Sequence, residues 1–347
     1  MHRHLKKLGP AALLLAVGLL AFFSFSLKEL RADGLKSAPK YVFLFIGDGM
    51  SYSQIMAYGA YFGTVNDEPA GRAAGSGQGP PLEMPSFVHF PVSGAMISSN
   101  ASSYITDSAS AATAMACGVK TFDGALGLDA AGQTHDSLAV LFKKKGAKVG
   151  LISSMSLNHA TPAGFYAHRS SREDYYNIGL DLIASDFDFF GGGGLHQAKG
   201  PDRDQADLYK LARKAGYRLV KTVPALEGLE PGQGKVMAVS PVLGYLASMS
   251  FAIDVQERGE PRLKDFVRKG IELLDNEAGF FLMVEGGKID LAAHANDACT
   301  AILDLKDFDE SLQEALAFAE QNAKTSGRFS LNAYDILIEK RSKDRAG

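Results

Sequence analysis

Three unbroken apolar runs rich in β-formers constrain this chain more than anything else in it: Tyr41–Ile46, Val149–Ser154 and Phe280–Val284. A strand with one wet face alternates apolar and polar residues, whereas an unbroken run marks a strand buried on both faces. Such strands belong to a parallel sheet, and parallel neighbours must be joined by long crossovers, usually helices. Segments of helical spacing lie between and after the runs: Asp136–Lys145 closed by Gly146, Gln205–Ala215 ended by Gly216, Phe266–Leu274 and Phe308–Ala319. No internal repeat is present. The pattern predicts an α/β fold, a three-layer α/β/α sandwich around a central, largely parallel sheet.

The chain has 347 residues, of which 46% are hydrophobic and 22% charged, with a net charge of −3. It is long enough for a large core, and without a basic excess it gives no sign of nucleic-acid binding. The two cysteines, Cys117 and Cys299, are too few and too far apart for a disulfide framework or a Cys-type zinc site. Charged residues among Met1–Lys7, an apolar run from Pro10 to Leu27 and a polar stretch from Lys28 to Lys40 have the order of an export signal. We therefore expect residues 1–35 to be a signal peptide or a membrane anchor. The protein would then be periplasmic, or held at the outer face of a bacterial inner membrane. Residues 36–322 form the expected domain, and residues 323–347 read as a polar tail, ending in Lys340-Arg341-Ser342-Lys343-Asp344-Arg345.

The residues that end the apolar runs are the chemically interesting ones. Gly47-Asp48-Gly49-Met50 follows the first, Asn158–Gly164 with His159 and Thr161 follows the second, and Glu285-Gly286-Gly287 follows the third. Open α/β sheets place ligands at the carboxyl ends of their strands. Lys288–His294 reads as a helix that sets Asp290 and His294 four apart on one face, the spacing at which a carboxylate and an imidazole can grip one cation. Phe165–Arg172 also reads as helical. Each feature has an ordinary alternative: an aspartate in a tight turn, a surface arginine, a solvated i,i+4 pair. Gly191–Gly194, after Phe187-Asp188-Phe189-Phe190, lacks the Lys-Ser/Thr of a phosphate loop and reads as a permissive loop beside a strand. Asn66–Pro85 reads as a surface excursion and Pro91–Ser98 as a strand.

Thr106–Gly118 reads as a turn and an Ala-rich helix, with Asp107 or Ser108 as the N-terminal cap and Gly118 as the stop. The first turn of a helix offers free N–H groups and partial positive charge, so Ser108 is well placed to attack phosphorus. If the strands are parallel, Asp48, Thr161 and Glu285 meet beside Ser108. Oxygen donors of this kind suit Mg²⁺, and Asp290 with His294 suits Zn²⁺. Arg172 could then clamp two phosphate oxygens.

At these residues the chain resembles the alkaline phosphatase family. Gly47-Asp48-Gly49-Met50, Thr106-Asp107-Ser108-Ala109, His159-Ala160-Thr161-Pro162-Ala163 through Arg172, and Val284-Glu285-Gly286 with Asp290 and His294 stand in that family's order and spacing. Lys120-Thr121 and Gly124-Ala125-Leu126-Gly127 extend the match, over roughly residues 40 to 320. The resemblance implies hydrolysis of phosphate monoesters. Ser108 would be the nucleophile and form a phosphoseryl intermediate, and Arg172 would bind phosphate. Asp48 would bridge a zinc and the magnesium, Thr161 and Glu285 would complete the magnesium ligands, and Asp290 and His294 would hold the other zinc. Asp107 and His159 would stand just behind these groups. A homodimer is also implied. The Asp107-Ser108-Ala109 context is that of the phosphatases rather than of sulfatases or phosphodiesterases in the same superfamily.

The match departs from the family after the last helix. Family members have a further strand ending in Asp-His and a later histidine, whereas here no histidine follows His294. The resemblance then implies a sheet lacking the C-terminal strands. One zinc position would keep only Asp290 and His294, and the other only Asp48 and Ser108. His135 and His196 are candidates to substitute, though their spacing does not favour it. The alternative expectation is a non-catalytic or impaired remnant that binds Mg²⁺ and phosphate.

Overall fold

β1 (Tyr41–Asp48) is an eight-residue strand buried along almost its whole length, and it sets the pattern for the rest. The computed structural model describes residues 39–66, 82–255, 259–326 and 329–336, with backbone alone for 323–326 and 329–336. The expected export segment 1–35, most of the excursion Asn66–Pro85 and residues 337–347 of the expected tail lie outside the described residues. After β1 come α1 (Tyr52–Val65), α2 (Ser108–Cys117), α3 (Leu138–Lys144), β2 (Lys148–Ser153), α4 (Ala160–Ala163) and α5 (Tyr175–Ala184). Then follow β3 (Phe189–Gly192), α6 (Leu208–Lys214), β4 (Arg218–Val220), α7 (Val223–Glu227), β5 (Val236–Val239) and α8 (Leu263–Leu274). β6 (Phe280–Gly286), α9 (Lys288–His294), α10 (Ala298–Ser326) and β7 (Phe329–Ile336) complete the order.

The seven strands form one sheet in the order β4-β5-β3-β2-β6-β1-β7. Every pairing is parallel. The two-residue period of a strand divides β1 between two cores. Tyr41, Phe43 and Phe45 face Ile55 of α1, Phe266 of α8 and Leu305 and Phe308 of α10. Leu44 and Ile46 face Ala109 and Ala116 of α2, Ala139 of α3 and Ile178 of α5. Helices therefore cover both faces, and the three-layer sandwich follows. Phe45 and Phe308 meet edge to face with centroids 5.9 Å apart. Fully burying a ring of this size contributes about 1.5–3 kcal/mol.

Several local expectations change. Pro91–Ser98 is exposed and carries no strand, for it has no ladder partner among the described residues. Phe165–Arg172 is not a helix. The helix stops after Ala163, and Arg169 instead pairs with Leu126 in an antiparallel bridge. Gly191 and Gly192 belong to β3. Gly192 has φ +121°, and a Cβ there would lie 1.9 Å from the Ser153 carbonyl oxygen, so close strand packing requires glycine. The last helix extends well beyond Phe308–Ala319 at both ends. A strand also follows it. β7 pairs with β1 from Tyr41↔Phe329 to Asp48↔Ile336, so the expected absence of any strand after the last helix is corrected. Its sequence alternates Phe329, Leu331 and Ala333 with Ser330 and Asn332, a period of two overshadowed by the basic residues beyond it.

Candidate active site

Ser108 opens α2, and its hydroxyl donates to Asp48 Oδ2 across 3.1 Å. Both side chains are almost wholly buried. Asp107 is the N-cap of α2: its carboxylate accepts from the Ser110 N–H at 2.9 Å and from the Ser110 hydroxyl at 2.6 Å. Gly118, at φ +71°, closes the helix by donating to the Ala114 carbonyl. The Ala-rich composition allows close approach, since a Cβ on Gly164 would meet Ala112 Cβ at 2.8 Å. α4 and its Thr161 thereby lie tight against α2.

The sheet brings the other groups to the same edge. Glu285 on β6 stands in register with Ile46 of β1 on one side and Ser153 of β2 on the other. The Ser153 hydroxyl donates to Glu285 Oε2. Asp290, on the first turn of α9, pairs with His294 at 3.3 Å, as the i,i+4 spacing predicted. It also abuts the turn after Asp48: a Cβ on Gly49, whose φ is +64°, would lie 2.3 Å from Asp290 Oδ1. Arg172 extends one guanidinium nitrogen to Asp107 Oδ2 at 3.1 Å and the other to His159 Nε2 at 3.3 Å. Asp48, Ser108, Thr161, Arg172, Glu285 and Asp290 thus gather at the carboxyl end of the central strands.

The electrostatics are those of crowded, buried acids. Burial, then the charge of Asp290, pushes Asp48 well above the ordinary carboxylate range, against the pull of Arg172 and Ser108. Burial, then the charge of Asp48, raises Glu285 in the same way. Two buried carboxylates side by side resist joint ionisation unless positive charge joins them. Burial, reinforced by Arg172 and His196, drives His159 down to about 3, so it is neutral. With Nε2 accepting from Arg172, its proton sits on Nδ1, which has no partner. Asp107 differs: burial raises it, but Ser110, Arg172 and the Gly124 N–H together hold it below its usual value.

Buried polar atoms without partners mark where a ligand fits. Asp48 Oδ1, Thr161 Oγ1 and Glu285 Oε1 are all of this kind. Three buried oxygen donors of this chemistry fit Mg²⁺. Zinc fits less well. Among the described residues, no three His, Cys, Asp or Glu side chains are close enough together to hold a metal, and Asp290 and His294 form a pair. Neither substitute histidine fills the gap. His135 pairs with Asp129 at 2.9 Å. His196 does lie near His159, which its spacing did not suggest, but it packs edge-on against Tyr175 with centroids 4.7 Å apart. Cys117 and Cys299 are free thiols, and burial raises Cys117 to about 11.

Comparison with known proteins decides the family. The alkaline phosphatase family profile matches residues 39–326. The chain belongs to the alkaline phosphatase family. It is 37% identical to alkaline phosphatase 4 of Bacillus subtilis over 235 residues, covering 64% of this chain and 47% of that protein. Identity to alkaline phosphatase 3 of the same organism is 30% over 338 residues, 94% of this chain and 68% of the relative. This alkaline phosphatase chain therefore spans from about half to two thirds of the length of these relatives. Among solved structures, the alkaline phosphatase of Thermus thermophilus superposes with a TM-score of 0.72 at 26% identity, over 87% of this chain and 60% of that one. The alkaline phosphatase of the Antarctic bacterium TAB5 gives 0.68 at 28% identity, over 86% and 78%. A variant of that enzyme has Mg bound in its M3 site.

Ser153 was missed in the sequence. A hydroxyl at the end of a buried apolar run was the available signal, because such a position faces the ligand edge of the sheet. The contacts that join the loops before and after α2, from Asn100 to Asp123 and from Gly124 to Asp107, were also missed, since they are long-range and carry no periodicity.

Proposed function

We propose that this chain hydrolyses phosphate monoesters through Ser108. The observation that carries this reading is the buried Ser108–Asp48 contact beside three unpartnered oxygen donors and the Arg172 fork. Arg172, aimed by Asp107, binds two oxygens of the phosphoryl group. Ser108 attacks phosphorus: its hydroxyl proton leaves toward Asp48, the Ser108 Oγ–P bond forms, and the bond to the ester oxygen breaks. Water then attacks the phosphoseryl group, the Ser108 Oγ–P bond breaks, phosphate leaves, and the proton taken by Asp48 returns to the Ser108 oxygen. Asp48, Thr161 and Glu285 would hold Mg²⁺, which supplies positive charge near the developing negative charge when bound. Asp290 and His294 would provide two ligands toward Zn²⁺, and the reaction as written takes no step through that ion. The partners are phosphate monoesters rather than nucleic acid. Residues 1–35 would export the chain to the periplasm or anchor it to the outer face of the inner membrane, and it would pair as a homodimer. Among the described residues no helix is long and apolar enough to cross a membrane.

A second reading, a chain that binds only Mg²⁺ and phosphate, is favoured by the two-ligand set of Asp290 and His294. One experiment separates them: phosphate release from an aryl phosphate with Mg²⁺ and Zn²⁺ present, comparing the native chain with Ser108→Ala. The proposed function predicts release that falls by about a hundredfold or more in the variant. Equal rates would end it. No release from either, with phosphate and Mg²⁺ still bound, would favour the second reading.

A further inference from the structure

Asn100 is a polar side chain buried in the loop before α2, only 8% exposed, and such a group needs a reason. Its Oδ1 accepts from the N–H groups of Ser102 and Ser103 at 2.9 and 2.6 Å. Its Nδ2 donates to Asp123 Oδ1. The Ala101 N–H donates to the Thr121 carbonyl at 2.8 Å, so the loops before and after α2 are joined at two points.

Asp123 stands where these loops reach the phosphate arm. The next residue, Gly124, donates its N–H to Asp107 Oδ2 at 3.1 Å, the same oxygen that receives Arg172. Gly124 sits at φ +78°, and a Cβ there would be 4.0 Å from Arg172 Cγ. Asp123 itself feels the Asp107 charge and lies within reach of the Asp107 N–H. At the far end of the loop, Leu126 and Arg169 exchange backbone hydrogen bonds of 2.8 and 3.0 Å, which fixes the segment that carries Arg172.

We propose that Asp123, locked by Asn100, is a positioning residue: it holds Asp107, and through Asp107 the Arg172 fork, in the orientation that receives a phosphate group. This role presupposes that Arg172 binds phosphate, as proposed above. Charge and position make opposite predictions here. A negative charge near Arg172 weakens anion binding, so a purely electrostatic Asp123 would bind phosphate more tightly once removed. A positioning Asp123 does the reverse.

The test is calorimetric titration of the full chain, with Mg²⁺ and Zn²⁺ present, using inorganic phosphate, alongside thermal melts. Asp123→Ala should weaken phosphate binding about tenfold, the size of one lost hydrogen bond to a charged group. Asp123→Asn, which keeps the hydrogen bond to Asn100 and drops the charge, should stay within about threefold of the native chain. In an Asp107→Ala background the Asp123→Ala loss should vanish, because the effect passes through Asp107. Tighter binding in both Asp123 variants overturns the proposal, as does a lowered melting temperature with unchanged phosphate affinity. Arg172→Ala separates the two layers. If it abolishes phosphate binding while Asp123→Ala is silent, only the positioning role fails; if Arg172→Ala binds phosphate like the native chain, the function proposed for Arg172 fails and the positioning role with it.

Discussion

Asp48 and Glu285 stand on neighbouring parallel strands, both wholly buried, and each keeps one carboxylate oxygen that meets no donor. Burial raises both above the ordinary carboxylate range, the charge of Asp290 raises Asp48 further, and the charge of Asp48 raises Glu285 further. A protein carries such a pair at a cost to its own stability unless a cation joins it. The pair is therefore the clearest sign in the fold that the site is built for charge rather than for packing.

Neutralising one member should have opposite effects on stability and on metal binding. Glu285→Gln keeps the size and the Ser153 contact but removes the repulsion. The metal-free variant should melt higher than the native chain, by about 2 °C per kcal/mol relieved. Its Mg²⁺ affinity should fall by about tenfold or more. Melting and Mg²⁺ titration on the same samples check both. A metal-free variant that melts lower, with native Mg²⁺ affinity, would contradict the arrangement.

The same pair predicts a pH dependence with a definite sign. Both folded-state pKa values are raised, so the metal-free folded chain binds more protons than the unfolded chain. Its stability from this pair is complete below the ordinary carboxylate range near ~4 and is lost as pH rises through neutrality. Melting temperatures in chelator should fall across that window more steeply for the native chain than for Glu285→Gln. Saturating Mg²⁺ should flatten the native curve. Parallel curves for the two proteins in chelator would refute the linkage.

Gly49 offers a backbone test. It adopts a left-handed φ of +64° against Asp290 Oδ1. Gly49→Ala adds strain of about 1–2 kcal/mol from the backbone alone, and the new methyl must displace Asp290. We expect a loss of about 2–4 kcal/mol in chemical denaturation and weaker retention of Zn²⁺. A variant as stable as the native chain would mean that the turn and Asp290 are not in contact.

Much of this was legible in the sequence because two periods carry it. Unbroken apolar runs identified β1, β2 and β6, the strands that hold Asp48, Ser153 and Glu285. The i,i+4 spacing of Asp290 and His294 placed them together. Short strands were less legible: Val236–Val239 has four residues, too few to show a period. Arg172 was placed on a helix that is absent, since helical spacing after Pro162 competes with the Leu126–Arg169 bridge, a contact formed across 43 residues (169 − 126). The loop that aims Asp107 was invisible for the same reason. Its hydrogen bonds join distant segments and leave no local pattern.

Covalent phosphorylation of Ser108 is the step on which the proposed hydrolysis turns. The direct measurement is to mix the full chain with an aryl phosphate in Mg²⁺ and Zn²⁺, quench in acid, digest, and map phosphate on the peptide spanning Ser108 by mass spectrometry. We predict phosphate on Ser108 in the native chain and none at that position in Ser108→Ala, which also stops releasing product. Steady phosphate release by the native chain with Ser108 never modified, or undiminished release by Ser108→Ala, would contradict the account.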